Sequence, residues 1–239
     1  MKQILTVQAT QLTPGSAAFM LAGLALSLGF SIIVIRFFLR RDADYAGAKP
    51  FPLDALTVFS LLFYTCVYGW THLNYVVSFS QFLLVFSYLS MLFITAYIDL
   101  RTKAIYDIIL LLYTPVLLFF VFFEDAYTIR DSLLSMLVGG GFYAIIYLAA
   151  RIIYKREAFG QGDIFLMAIA AVFMKPMMTV IACFLSFYIA ALFLLISYPF
   201  RRKMDSMAEI PFGPYICLSS WVFFLYGDRV MDWIYGFLG

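Results

Sequence analysis

Two aspartates stand where apolar stretches meet short polar segments. Asp99 closes one stretch in AYIDLRTKAIYD (96–107), and Asp163 opens another in EAFGQGDIFLMAI (157–169). If the two carboxylates meet, ionising both is costly, because like charges a few ångströms apart repel. Such a pair shares a proton, so one carboxylate can take a proton from water while the other donates one to a carbonyl oxygen. The chemistry that these residues could perform is hydrolysis by two aspartates.

The two glycines before Asp163 suit the same chemistry. In Gly160-Gln161-Gly162-Asp163 the glycines carry no Cβ atom, so another chain can approach the backbone closely. A peptide bound beside the carboxylate would use that space. Each aspartate also has a simpler explanation, since Asp163 can cap a helix and Asp99 can pair with a neighbouring basic residue. The residues alone leave both explanations open.

The composition predicts the elements that position these aspartates. The chain of 239 residues is 64% hydrophobic and 13% charged, with a mean hydropathy of +0.95, which is outside the range of soluble globular domains. We therefore predict an all-α polytopic membrane protein with about eight transmembrane helices. Its apolar stretches run over residues 17–39, 53–71, 76–98, 105–123, 132–150, 177–198 and 211–227, and a shorter one follows Asp163.

The distribution of basic residues predicts the orientation. With the amino terminus outside, the predicted inner segments hold 12 of the 16 Lys and Arg residues, and the outer segments hold 4. Cytoplasmic loops carry such an excess, so we expect both termini outside and both aspartates at the cytoplasmic face.

The sequence offers few ligands for a metal or a cofactor. Cys66, Cys183 and Cys217 form no Cys-x-x-Cys pair, and His72 is the sole histidine, expected in an exposed outer loop. The chain has no Walker loop and no dinucleotide-binding glycine fingerprint. We expect no metal, no cofactor and no nucleic-acid partner, and we expect the chain to contact the lipid bilayer.

A short hairpin is predicted directly after Asp163. Residues 164–198 make 35 residues between two basic clusters, interrupted only at Lys175-Pro176. A turn at Pro176 leaves a first arm of about 11 residues, roughly 16 Å, which is about half the hydrocarbon core. We expect Asp163 to lie below the cytoplasmic lipid surface in a hydrated cavity, because a carboxylate facing lipid is costly.

Three ordered motifs resemble those of a known family. Asp99 with its short basic loop, followed by Gly160-Gln161-Gly162-Asp163, resembles the GxGD-type intramembrane aspartyl proteases, and specifically the type IV prepilin peptidases. The stretch EIPFGPYICLSSW (209–221) is similar to the Ile-Pro-Phe-Gly-Pro signature of those enzymes. The resemblance covers roughly residues 90 to 225.

The resemblance implies an aspartyl endopeptidase of the inner (plasma) membrane. Its substrates would be prepilins or pseudopilins of type IV pilus and protein secretion systems, cleaved after the basic leader at the cytoplasmic face. Asp99 and Asp163 would be the catalytic carboxylates. The residues that would shape the site are Gly160, Gly162, Ile210, Pro211, Phe212, Gly213 and Pro214.

The chain departs from the family pattern at three places, one of which is Asp54, where family members tend to have glutamate. Tyr106 follows Ile105 where the family has proline, and Asp107 therefore stays an alternative acid. The segment RRDADYAGAKPFP has no cysteine, whereas many family members carry a zinc-bearing loop there that is associated with methyl transfer. We therefore expect residues 1–75 to form a two-helix region without a zinc domain or methyltransferase activity, and residues 76–239 to form the peptidase domain.

Two other functions are compatible with the same residues. A transporter subunit could bind a coupling ion or proton at Asp99 and Asp163. A catalytically inactive scaffold for pilus or secretion machinery could keep the fold and lose the reaction through the change at Tyr106.

Overall fold

The chain is predominantly helical in the part that the structure describes. The computed structural model describes residues 14–41, 54–76, 78–154, 160–197 and 210–238, and no strand occurs among them. The helices are α1 (Pro14–Arg41), α2 (Ala55–Tyr75), α3 (Phe79–Thr102), α4 (Asp107–Phe123), α5 (Ile129–Tyr154), α6 (Gln161–Ala170), α7 (Pro176–Ser197) and α8 (Gly213–Leu238). A single 3-10 turn, Ala171–Phe173, extends α6. The prediction of an all-α protein is confirmed.

Five of these helices, α1, α2, α3, α5 and α7, are long and apolar enough to cross a membrane. The chain is therefore a multi-pass membrane protein. Helices α4 and α6 are shorter, and α8 carries Asp228, Arg229 and Asp232 in its second half. The predicted total of eight crossings and the outward termini stay predictions. Several of the basic residues from which the orientation was predicted, among them Lys155 and Arg156, lie outside the described residues.

The chain divides into two compact units, Met1–Ile98 and Asp99–Gly239, and the division falls inside α3. The sequence analysis placed the boundary between a two-helix region and a peptidase domain after residue 75. That boundary differs from the division into compact units and stays a prediction. Both aspartates belong to the second unit.

Buried polar contacts connect the helices of the first unit. The Tyr64 hydroxyl of α2 and the Ser90 hydroxyl of α3 both hydrogen-bond Ser27 of α1. His72 also lies inside this unit, in the last turn of α2, where it is 6% exposed and stacks on Tyr68. The expectation of an exposed histidine was wrong, because α2 continues past the apolar stretch that predicted it.

In the second unit, two glycines of α5 bring α6 close. A Cβ atom on Gly139 would lie 3.1 Å from the Met167 carbonyl oxygen, and one on Gly140 would lie 3.1 Å from the Ala168 Cβ. Small residues of this kind allow membrane helices to approach each other. This contact fixes the helix that begins beside Asp163.

The short helix and the break predicted after Asp163 are present. Helix α6 has 10 residues, so it rises roughly 15 Å, and α7 begins at Pro176, where a missing N–H has no consequence. Ser135 of α5 donates a hydrogen bond of 2.7 Å to the Met174 carbonyl in the turn. The short first arm is thereby held against α5.

Candidate active site

Asp99 lies in the last turn of α3 and is held by the first residue of a distant helix. Its side chain is 4% exposed, and its Oδ2 accepts a hydrogen bond of 2.8 Å from the Gly213 N–H. A Cβ atom on Gly213 would lie 2.9 Å from that same oxygen. Gly213 therefore supplies both a donor and the space for the carboxylate, at the positive end of α8.

The chain reverses directly after Asp99. The Lys103 N–H donates to the Asp99 carbonyl at 2.8 Å, and Lys103 has a φ of 55°. A left-handed residue in this position is a common way to end an α-helix, although glycine is the usual choice. The turn keeps Asp99 at the very end of α3 and leads the chain into Ile105.

Asp163 is held by its own backbone. It occupies the first turn of α6, and its Oδ2 accepts a hydrogen bond of 3.0 Å from the N–H of Gly160, the residue that caps this helix. The helix-capping hydrogen bond therefore uses one of the two carboxylate oxygens of Asp163. The side chain is 5% exposed, and its Oδ1 is buried without a hydrogen-bond partner among the residues described. One carboxylate oxygen is left for another ligand.

The two carboxylates act on each other. Burial raises the pKa of the Asp163 carboxyl, the negative charge of Asp99 raises it further, and the Gly160 N–H partly opposes both. Asp163 lies in α6, outside the five helices that can cross a membrane. The two aspartates that the sequence singled out thus lie in one compact unit, where the charge of Asp99 contributes to the raised pKa of Asp163.

Gly162 and Gly160 stand in different surroundings. A Cβ atom on Gly162 would lie 2.7 Å from the Ile105 Cβ, which is too close for any real contact. Among the described residues, one on Gly160 would meet nothing nearer than 3.7 Å, the distance to its own Asp163. Gly162 is thus the glycine that lets the segment between α3 and α4 pack on the first turn of α6.

The five residues of the third motif enter α8 in order. Ile210, Pro211 and Phe212 precede the helix, and Gly213 and Pro214 are its first two residues. The Phe212 carbonyl accepts the Tyr215 N–H at 3.1 Å, so Phe212 is part of the first turn. Of the five, Gly213 is the one for which the structure gives a contact with a carboxylate.

Two further side chains complete the description. Asp107 is the first residue of α4 and is exposed, so it does not belong to the buried pair. Tyr143 of α5, which the sequence analysis did not single out, is fully buried, and its hydroxyl hydrogen-bonds Ser186 of α7. A tyrosine in the middle of an apolar helix was the available signal.

Among the described residues, no group of three His, Cys, Asp or Glu could hold a metal.

Comparison with known proteins gives a family and partial relatives. Residues 86–195 match the type IV leader peptidase family. The prepilin leader peptidase/N-methyltransferase of Aeromonas hydrophila is 26% identical over 106 residues, which are 44% of this chain and 36% of that protein. Proteins of the same description match from Aeromonas salmonicida (strain A449), 27% identical, and Stutzerimonas stutzeri, 26% identical, each over 43% of this chain and 35% of the relative. The matches thus span about a third of the relatives' length. No solved structure matches significantly.

Proposed function

Since residues 86–195 of this chain belong to the type IV leader peptidase family, we propose that the protein is a membrane-embedded aspartyl endopeptidase. Its substrates are the leader peptides of type IV prepilins or pseudopilins, cut at the cytoplasmic face of the inner (plasma) membrane. The observation that carries the proposal is the pair of buried, interacting carboxylates, Asp99 and Asp163, at two helix ends of one compact unit.

The reaction uses one water molecule and one shared proton. We assign the resting proton to Asp163, on the Oδ1 atom that has no partner among the described residues, and we assign the negative charge to Asp99, which accepts the Gly213 N–H. Asp99 takes a proton from water as the water oxygen bonds to the scissile carbonyl carbon. Asp163 gives its proton to the carbonyl oxygen, so a neutral gem-diol forms.

The second half of the reaction restores the pair. Asp99, now protonated, donates to the leaving amide nitrogen while the carbon–nitrogen bond breaks. Asp163 takes a proton from one of the two hydroxyls, which leaves a carboxylic acid and an amine as products. Each aspartate ends in the protonation state in which it began, and no other group has to supply or remove a proton.

We do not propose a methyltransferase activity for this chain. The relatives' names include N-methyltransferase, but they align with about a third of their length. The three cysteines, Cys66, Cys183 and Cys217, are free and are spread over α2, α7 and α8. They cannot form the paired cysteine site that the resemblance associates with that activity.

The proposal is tested with purified protein and a synthetic substrate that has a basic leader, a glycine and an apolar helix. We expect cleavage after the glycine, detected by mass spectrometry. Asp99→Asn and Asp163→Asn should each lower the rate at least about 100-fold, because each removes one partner of the proton exchange. Asp107→Asn is the matched control and should cleave at the wild-type rate, since Asp107 is exposed and outside the pair.

The same experiment separates the alternatives. Thermal unfolding of each variant shows whether the fold is kept. No cleavage by the wild-type protein, with proton or ion flux in liposomes that both substitutions abolish, would favour a transporter. Neither cleavage nor flux would favour a scaffold. Cleavage that survives in either aspartate variant removes that aspartate from the proposed mechanism.

A further inference from the structure

Tyr143 is a buried tyrosine that the proposed reaction does not use. It lies in α5 with no exposed surface, and its hydroxyl is 2.5 Å from the Ser186 Oγ of α7, which is equally buried. A polar pair of this kind fixes the tyrosine between the two helices that it joins.

The direction of the hydrogen bonds follows from the number of protons. Ser186 has one hydroxyl proton, and its Oγ lies 2.6 Å from the Cys183 carbonyl oxygen, which can only accept. The Ser186 proton therefore goes to Cys183, and Tyr143 must donate to Ser186. Tyr143, Ser186 and the Cys183 carbonyl form a directed chain from α5 to α7 with every proton assigned.

The ring of Tyr143 supports the third motif. Its centroid is 5.3 Å from that of Phe187 and 6.0 Å from that of Phe212, and the Phe187 and Phe212 centroids are 4.9 Å apart. Such separations are typical of packed aromatic pairs. Phe212 thus lies against one ring from α5 and one from α7.

Phe212 is next in the chain to the donor that holds Asp99. It immediately precedes Gly213, whose N–H binds the Asp99 Oδ2 at 2.8 Å. The Phe212 carbonyl also accepts the Tyr215 N–H in the first turn of α8. A displacement of the Phe212 ring would therefore move the residue that holds Asp99.

We propose that Tyr143 is a positioning residue for Asp99, with its hydroxyl anchored to Ser186 of α7 and its ring supporting Phe212 and, through Gly213, the Asp99 carboxylate. The inference rests on the proposed peptidase function. Tyr143 is fully buried, so it acts on the position of the carboxylate and does not bind substrate.

The first test compares two conservative substitutions. Tyr143→Phe keeps the ring and removes the anchor, so kcat should fall about tenfold with KM within about twofold of wild type. Tyr64→Phe removes a tyrosine hydroxyl that also hydrogen-bonds a buried serine, Ser27, in the unit that contains neither aspartate. It should lower the melting temperature about as much as Tyr143→Phe and leave kcat unchanged.

The second test asks whether Tyr143 and Ser186 act as one unit. Ser186→Ala removes the acceptor of the Tyr143 proton and should also lower kcat about tenfold. The double variant should be no slower than the slower single variant by more than about twofold, because both changes break the same chain of hydrogen bonds. If the loss of kcat in the double variant equals the product of the losses in the two single variants, the inference is contradicted.

Failure of this inference is distinct from failure of the proposed function. If Asp99→Asn and Asp163→Asn abolish cleavage while Tyr143→Phe keeps the wild-type kcat, only the role of Tyr143 is overturned. The role of Tyr143 is also overturned if Tyr64→Phe lowers kcat as much as Tyr143→Phe does. The loss of kcat would then follow the loss of stability alone. If the aspartate variants still cleave, the peptidase proposal itself is wrong.

Discussion

The two aspartates are held in opposite ways. Asp163 stands at the start of a short helix, and its hydrogen bond comes from Gly160, three residues earlier. Asp99 stands at the end of a long helix, and its hydrogen bond comes from Gly213, 114 residues later. The first arrangement forms as soon as α6 folds, whereas the second requires α8 to dock.

This difference indicates where the site is sensitive to change. A local cap tolerates movement of the surrounding helices because its donor moves with the carboxylate. A donor from another helix depends on every contact that places that helix. Changes at the amino terminus of α8 should therefore disturb the pair more than changes at the cap of α6.

The largest effect in this comparison is expected for Gly213→Ala. The new Cβ would lie 2.9 Å from the Asp99 Oδ2, so either the carboxylate or the start of α8 must move. We expect kcat/KM to fall roughly 100-fold or more, since small misplacements of catalytic groups have effects of this size. Gly141→Ala is the matched control, because a Cβ at Gly141 meets nothing within 4 Å. Equal activity of the two variants would remove Gly213 from the site.

A smaller and graded effect is expected at the two glycines before Asp163. Gly162→Ala places a Cβ 2.7 Å from the Ile105 Cβ, so the segment after α3 has to shift, and kcat should fall about tenfold to 100-fold. Gly160→Ala keeps the N–H that binds Asp163 and meets no atom of the described part of the chain closer than 3.7 Å, so activity should stay within about threefold. The ratio of the two rates is the measurement. A larger loss at Gly160 would show that the local cap is the more sensitive support.

The smallest effect is expected at the turn after Asp99. Lys103 has a φ of 55°, which costs a residue with a side chain roughly 1 kcal/mol and costs glycine little. Lys103→Gly should leave cleavage within about twofold and raise the free energy of unfolding by up to about 1 kcal/mol. Chemical denaturation in detergent measures this. A clear loss of stability would mean that the Lys103 side chain contributes more than its backbone conformation costs.

Local features of the fold and site could be predicted from the sequence. The length of the apolar run between two basic clusters and its interruption at Lys175-Pro176 predicted the short arm after Asp163, because both can be read from one continuous stretch of the chain. A capping role for Asp163 was one of the two explanations that the sequence left open, and it too depends on neighbouring residues.

Features that depend on packing could not be predicted in this way. The Ile-Pro-Phe-Gly-Pro resemblance indicated a segment near the site, but it did not show that the Gly213 N–H binds Asp99. The contacts of Tyr143 were missed because a tyrosine within an apolar stretch has no local signature. The burial of His72 was missed because the apolar stretch ended before the helix did.

The account depends most directly on the electrostatic contact between the two aspartates. Its test is the titration of the Asp163 carboxyl, followed by infrared spectroscopy of isotope-labelled protein in liposomes and assigned with Asp163→Asn. In Asp99→Asn the neighbouring negative charge is gone, so the pKa of Asp163 should fall, while burial keeps it above that of a free aspartate. Asp107→Asn should leave the titration unchanged. The same midpoint in Asp99→Asn as in the wild-type protein would contradict a shared-proton pair.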